Sequence, residues 1–199
     1  MKVVLVDGGG SNIGSVRYAL QRIGVDAELT GDADAIRAAD RVILPGVGAA
    51  AEGMKKLRGH RLVEVLRALD KPLLGVCVGM QLLFDRSEED DVECLGLLPG
   101  NVSKLSAGAG VRVPHMGWNT LRKCRESSLL EGIDDGAHAY FVHSYAAPAG
   151  DDCLASCAYG REFAAVVRRG NVAGAQFHPE RSAAAGERLL KNFIEYGLA

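Results

Sequence analysis

The chain has 199 residues, 23 Lys and Arg, 25 Asp and Glu, and five Cys. That length fits a single domain, residues 1–199, whose core needs no disulfide or metal staple and which leaves no room for a second catalytic domain. A formal charge of −2 with interspersed signs gives no basic face for nucleic acid, no apolar run nears the ~20 residues of a membrane span, and the odd Cys count excludes a full disulfide framework, so a cytoplasmic protein is expected.

Residues 2–6 (KVVLV) form a continuous β-branched run, as expected of a strand buried on both faces. A Gly-rich turn follows, and Val16, Leu20 and Ile23 then recur at helical spacing. Residues 26–30 make a short strand, and 41–44 (RVIL) a buried one ended by Pro45-Gly46. Leu62, Val65, Leu66 and Leu69 mark a helix. Residues 72–76 (PLLGV) read as a strand handing over directly to a helical segment with Met80, Leu82, Leu83 and Phe84. The second half carries short strand-like segments at 110–120, 139–146, 153–159, 163–168 and 172–177, then a closing helix over 183–196. The expected fold is α/β: a mixed, mostly parallel central sheet flanked by helices.

Gly75-Val76-Cys77-Val78-Gly79 sits where a buried strand meets a helix, the setting of a nucleophile elbow. Glycines two residues either side leave space for a tight turn, and the helix start beyond it favours a thiolate. The plainer reading is a small buried Cys in a glycine turn. Gln176-Phe177-His178-Pro179-Glu180 ends the last strand and brings His178 to the carboxyl edge of the sheet, where open α/β sheets bind ligands. Glu180, two residues on, can hold the far ring nitrogen of His178. Taken alone this is a surface loop with a solvated Glu; joined to the elbow it completes a Cys77–His178–Glu180 triad. Pro45-Gly46-Val47-Gly48 leaves backbone N–H groups uncovered for an oxyanion, or is a tight strand-to-helix turn.

Other motifs carry less. Gly8-Gly9-Gly10-Ser11-Asn12-Ile13-Gly14, with Glu28 beyond it, resembles a dinucleotide fingerprint, but Ile13 stands where the third glycine belongs. Cys153 and Cys157 with His138 and His143 lack a C-x-x-C knuckle and read as packed groups, not a metal site. Of the five thiols, Cys77 is expected to react and the other four to pack. Trp118, the only Trp, lies among Pro and Gly, where an exposed ring would anchor an interface.

With the elbow, His-Pro-Glu and Pro-Gly-Val-Gly in this order, the chain resembles the class I (triad-type) glutamine amidotransferases over nearly its whole length. Pro114-His115-Met116-Gly117-Trp118-Asn119, Tyr140-Phe141-Val142-His143-Ser144-Tyr145 and the stretch from Gln176 through Arg181-Ser182 resemble one branch of that family, the glutaminase subunits of imidazole glycerol phosphate synthases. Val78 departs from the Leu more usual there, and the Gly-rich opening loop is also unusual. The resemblance implies Cys77 as nucleophile, His178 as base and acid, Glu180 as its orienter, and Val47 and Val78 as oxyanion N–H donors. Gly48, Gln81, Glu89 (or its neighbour Glu88), Ser144 and Tyr145 would hold L-glutamine. Asn12, His115, Met116, Trp118 and Tyr140 are expected on the face toward the partner, a separate (β/α)8-barrel cyclase subunit. No metal or organic cofactor is implied, and neither nucleic acid nor membrane is an expected partner. The other readings are a glutaminase feeding a pyridoxal phosphate or anthranilate synthase, a free-standing γ-glutamyl cysteine hydrolase, and a non-catalytic interaction protein.

Overall fold

The computed structural model describes residues 1–8, 13–108 and 110–198. The first half alternates strand and helix: β1 (Val3–Val6), α1 (Ile13–Arg22), β2 (Ala27–Thr30), α2 (Ala33–Arg37), β3 (Arg41–Gly46), α3 (Ala50–Gly59), α4 (Val63–Arg67), β4 (Leu73–Cys77) and α5 (Val78–Gln81). Three short strands follow, β5 (Arg86–Ser87), β6 (Val92–Glu93) and β7 (Asn101–Lys104). The second half is mostly strand: β8 (His115–Thr120), β9 (Arg122–Lys123), β10 (His138–His143), β11 (Tyr145–Ala146), β12 (Cys153–Tyr159), β13 (Arg161–Arg169) and β14 (Val172–Ala175), before α6 (Ala183–Tyr196).

The main sheet runs β2-β1-β3-β4-β14-β13-β12-β9. Its first five strands pair in parallel and its last three join antiparallel. Every residue of β1, β4 and β14 is buried, which is why these strands are continuous apolar runs rather than alternating ones. Leu20, Leu57 and Phe193 from three helices are fully buried beside them. Pro45 lies inside β3 rather than after it. The placement costs no ladder bond to β1, because β1 pairs only with residues 41–43 and leaves that side of Pro45 open.

Two departures from the sequence pattern have local causes. The helix after the elbow lasts one turn instead of continuing through Phe84, because the carbonyls of Leu82, Leu83 and Phe84 accept from the N–H groups of Leu95, Leu97, Leu98 and Gly96. The strand expected over 110–120 starts only at His115, past Pro114, which has no N–H to give a ladder.

Outside the main sheet, β8 and β10 form a two-stranded antiparallel ribbon, and β11-β7-β5-β6 a small separate sheet. The ribbon register pairs His143 with His115, Met116 with Val142, and Trp118 with Tyr140. Its period-2 alternation turns His115, Ala139, Phe141 and His143 inward and leaves Met116, Trp118 and Tyr140 on the outer face.

Candidate active site

β4 ends on Cys77, and its backbone sits at φ +54°, ψ −114°, a left-handed conformation that a non-glycine residue adopts only under strain. The flanking glycines make that turn possible. A Cβ on Gly79 would stand 1.8 Å from the Leu44 carbonyl oxygen, and one on Gly75 2.6 Å from the Gly79 carbonyl oxygen. The helix start thus packs directly on β3, and the Cys77 thiol is left facing the Val142 carbonyl of the ribbon at 3.8 Å.

His178 follows β14, the strand next to β4, so the sheet order itself brings His178 beside Cys77. Its Nδ1 lies 2.9 Å from Glu180 Oε1, and both side chains are almost fully buried. The carboxylate can only accept, so Nδ1 carries the proton and the other ring nitrogen is left for Cys77. Burial alone would lower the imidazole pKa. Hydrogen bonds to Cys77 and Glu180, with their negative charge, outweigh it and raise His178 to about 10. The environment therefore favours an imidazolium beside the thiol.

The cleft around these groups has a volume of about 200 Å³. That is smaller than the ~300–1,000 Å³ typical of drug-sized ligands and suits an amino acid. Val47, Gly48, Cys77, Val78, Gln81, Glu89, Ser144, Tyr145 and His178, all singled out in the sequence, line it. Glu89 rather than Glu88 faces the cleft: Glu88 is bonded to the Lys104 N–H, whereas Glu89 Oε2 accepts from the Ala50 N–H at 2.8 Å and caps α3. Val78 opens α5, and Gly48, at φ +91°, ends the turn after β3.

Several lining groups carried no role in the sequence. Pro114, Val142 and His143 complete the wall. The alternation of residues 138–143 was the available signal for His143, since it puts that residue on the inward face with Ala139 and Phe141. Ser182 also had no role. Its buried hydroxyl accepts from the Tyr140 N–H at 2.9 Å and donates to the His178 carbonyl at 2.7 Å.

The residues expected at a partner face divide. Met116 and Trp118 are 63% and 53% exposed, and Tyr140 meets Trp118 edge-on with ring centroids 5.8 Å apart. His115 is corrected: it is 2% exposed and stacked on Tyr159 at 3.9 Å, because its register on the ribbon points it inward. Asn12, with the rest of 9–12 in the opening loop, lies outside the described residues. The expectation of four packed thiols also needs correcting, since Cys124 is exposed. Burial lifts Cys94 to about 11 and both Cys153 and Cys157 to about 12, so these three stay protonated thiols at neutral pH. Among the described residues no group of three or more His, Cys, Asp or Glu could hold a metal ion, and no helix is long and apolar enough to cross a membrane.

Comparison with known proteins adds three findings. Residues 4–196 match the family model for "Glutamine amidotransferase class-I". The chain is 61% identical over 193 residues to the "Imidazole glycerol phosphate synthase subunit HisH" of Xanthomonas euvesicatoria, covering 97% of this chain and 96% of that one, and 55% identical over 198 residues to the protein of the same name from Xylella fastidiosa, covering 100% and 99%. Among solved structures it resembles a glutamine amidotransferase at 22% identity (TM-score 0.76, 99% of each chain) and PurLQS from Thermotoga maritima at 20% identity (TM-score 0.74, 98% of each chain), likenesses of fold alone.

Proposed function

The chain belongs to the class-I glutamine amidotransferases, and from that membership we propose that it is the glutaminase subunit of an imidazole glycerol phosphate synthase, hydrolysing glutamine to glutamate and ammonia. The observation that carries the chemistry is the buried Cys77–His178–Glu180 alignment at the floor of an amino-acid-sized cleft.

A carboxamide is a poor electrophile, so the nucleophile must be preformed. Cys77, held at the strained elbow, gives its proton to His178 and attacks the side-chain carbonyl of glutamine. The carbonyl electrons become an oxyanion, for which the N–H groups of Val47 and Val78 are the donors. The amide nitrogen cannot leave as an anion. The His178 imidazolium protonates it, the C–N bond breaks, and ammonia departs, leaving a glutamyl thioester on Cys77. His178, now neutral, takes a proton from water. The hydroxide adds to the thioester, and glutamate leaves as the thiolate re-forms. Glu180 keeps the His178 ring in one orientation through both steps. Gly48, Gln81, Glu89, Ser144 and Tyr145 hold the amino-acid end of the substrate.

Ammonia is nucleophilic only when neutral, and in open water near pH 7 most would be protonated. It must pass to its acceptor through a closed path. The exposed Met116 and Trp118, with Tyr140, lie on the same ribbon as Val142, which lines the cleft, so this apolar patch borders the site. Aromatic and Met side chains of this kind anchor protein interfaces. The partner is a (β/α)8-barrel cyclase subunit, which would use the ammonia to form imidazole glycerol phosphate and an aminoimidazole carboxamide ribotide in the cytoplasm. Resemblance to the family implies that the Pro45–Gly48 turn reorients to aim the Val47 N–H, so glutamate release by the isolated chain is expected to be slow. The barrel cyclase with its ligand bound should raise it strongly; equal turnover with and without that partner would overturn the coupled reading.

A further inference from the structure

A chain of polar groups, half-buried at Asn119 and buried at His115 and His143, runs from the ribbon into the glutamine cleft, and its proton positions can be deduced from both ends. Asn119 Nδ2 is fixed by the Ala158 carbonyl at 3.1 Å while Asn119 Oδ1 accepts from the Thr120 N–H, so the amide presents N–H to His115 Nε2 at 3.3 Å. His115 Nδ1 lies 3.0 Å from His143 Nε2, and His143 Nδ1 lies 2.8 Å from the Tyr145 carbonyl oxygen. A carbonyl can only accept, so His143 must donate from Nδ1 and accept at Nε2. His115 must then donate from Nδ1 and accept at Nε2, which is what the Asn119 amide independently requires. Burial lowers His115 to about 4 and His143 to about 3, so each ring is neutral with one proton to place.

The rings are also clamped mechanically. His115 stacks between Tyr159 (centroids 3.9 Å) and Phe141 (5.0 Å), and His143 meets Phe163 edge-on at 4.9 Å. At the cleft end the Tyr145 carbonyl accepts a second bond, 2.8 Å, from Gln81 Nε2. Gln81 Nε2 gives its other hydrogen to Gln176 Oε1 at 3.0 Å. Both amide hydrogens of Gln81 are therefore engaged, and its orientation depends on the same carbonyl that His143 holds.

We propose that His115 and His143 are positioning residues for glutamine binding: the Asn119–His115–His143 chain locks His143 as its Nδ1–H tautomer, which fixes the Tyr145 carbonyl and, through it, Gln81 in the substrate cleft. The proposal rests on the glutaminase reading above and adds to it a second line of residues, none of which touches the reacting atoms. Because the chain begins on the ribbon that carries Met116 and Trp118, substrate affinity is built on the same element as the outer apolar patch.

The test combines tautomer and kinetics. In ¹⁵N-histidine spectra of the unmodified protein at neutral pH, both rings should show a protonated Nδ1 and a bare Nε2; a protonated Nε2 on His143 overturns the proposal whatever the kinetics. His115→Phe keeps an aromatic ring in the stack but removes the donor. It should let the His143 proton redistribute and raise the KM for glutamine about fivefold to tenfold, the loss expected of one buried hydrogen bond, with kcat within about twofold. His115→Asn, whose amide nitrogen overlays Nδ1, should recover most of the KM. An unchanged KM in His115→Phe, or no recovery in His115→Asn, contradicts the relay. Absence of glutamine turnover by the unmodified protein with its partner would instead count against the glutaminase reading, and the tautomer measurement still decides the relay.

Discussion

The backbone N–H of His178 donates to the Tyr140 carbonyl at 2.9 Å, tying the proposed catalytic histidine to the ribbon whose outer face carries Trp118. Ser182 closes the connection, accepting from the Tyr140 N–H and donating to the His178 carbonyl. A 3-10 turn, Pro179–Arg181, spans the gap, so His178 is not on a free loop but clipped, directly and through Ser182, to Tyr140 of β10 by two hydrogen bonds.

Ser182→Ala tests that clip. It removes one hydroxyl and takes from the Tyr140 N–H its acceptor, while the His178 carbonyl keeps the Arg181 N–H, at a cost of about 1–3 kcal/mol in unfolding free energy. Urea denaturation should show that loss, and kcat for glutamine should fall more than KM changes, because the displaced group is the proposed base. A variant with native stability and native kcat would mean that the turn holds His178 without Ser182.

Glu89 serves the cleft and the fold together, since the carboxylate that lines the site also caps α3. Ala49, the residue before α3, provides no side-chain cap of its own. Glu89→Ala should therefore cost about 0.5–2 kcal/mol of stability, as lost helix caps do, and should raise the KM for glutamine. Glu89→Gln keeps an acceptor for Ala50 but loses the charge. It should recover stability while leaving KM high; recovery of both would show that the charge plays no part in substrate binding.

The buried histidines give stability a defined pH dependence. His115 and His143 titrate at about 4 and about 3 in the fold, against 6.5 for an ordinary histidine. The unfolded chain takes up protons in that window and the folded one does not, so stability is intact above 6.5 and is lost as pH falls through it. His178 runs the opposite way: raised to about 10, it contributes stability below 6.5 that is lost as pH rises toward 10. Denaturation curves at about pH 5, 7 and 9 should therefore peak in the middle, and His115→Phe should flatten the acid limb without altering the alkaline one. Identical acid limbs would contradict the assignment.

How much was legible in the sequence follows from what each feature depends on. β1, β3 and β4 were readable because a strand buried on both faces must be apolar throughout. α3 was passed over because it buries only Ala50, Met54 and Leu57, a narrow stripe among charges. Likewise α2 is five residues long and buries Ile36 alone. The elbow and His-Pro-Glu stood out as motifs because their geometry is local: glycine clearance at 75 and 79, and a two-residue reach from His178 to Glu180. The histidine relay is not local. It exists because the ribbon register sets His143 opposite His115, 28 residues apart in the chain, and no spacing rule within either segment announces that pairing. The same register overturned the placement of His115 at the surface.

The central claim is that Cys77 makes ammonia for a second active site on another subunit. It is tested most directly by Cys77→Ala assembled with the barrel cyclase, with synthesis followed from glutamine and, separately, from added ammonium salt. Synthesis from glutamine should be abolished and synthesis from ammonia should continue at the rate of the unmodified complex. Retention of glutamine-dependent synthesis, or loss of the ammonia-dependent reaction in a complex that still assembles, would contradict the account.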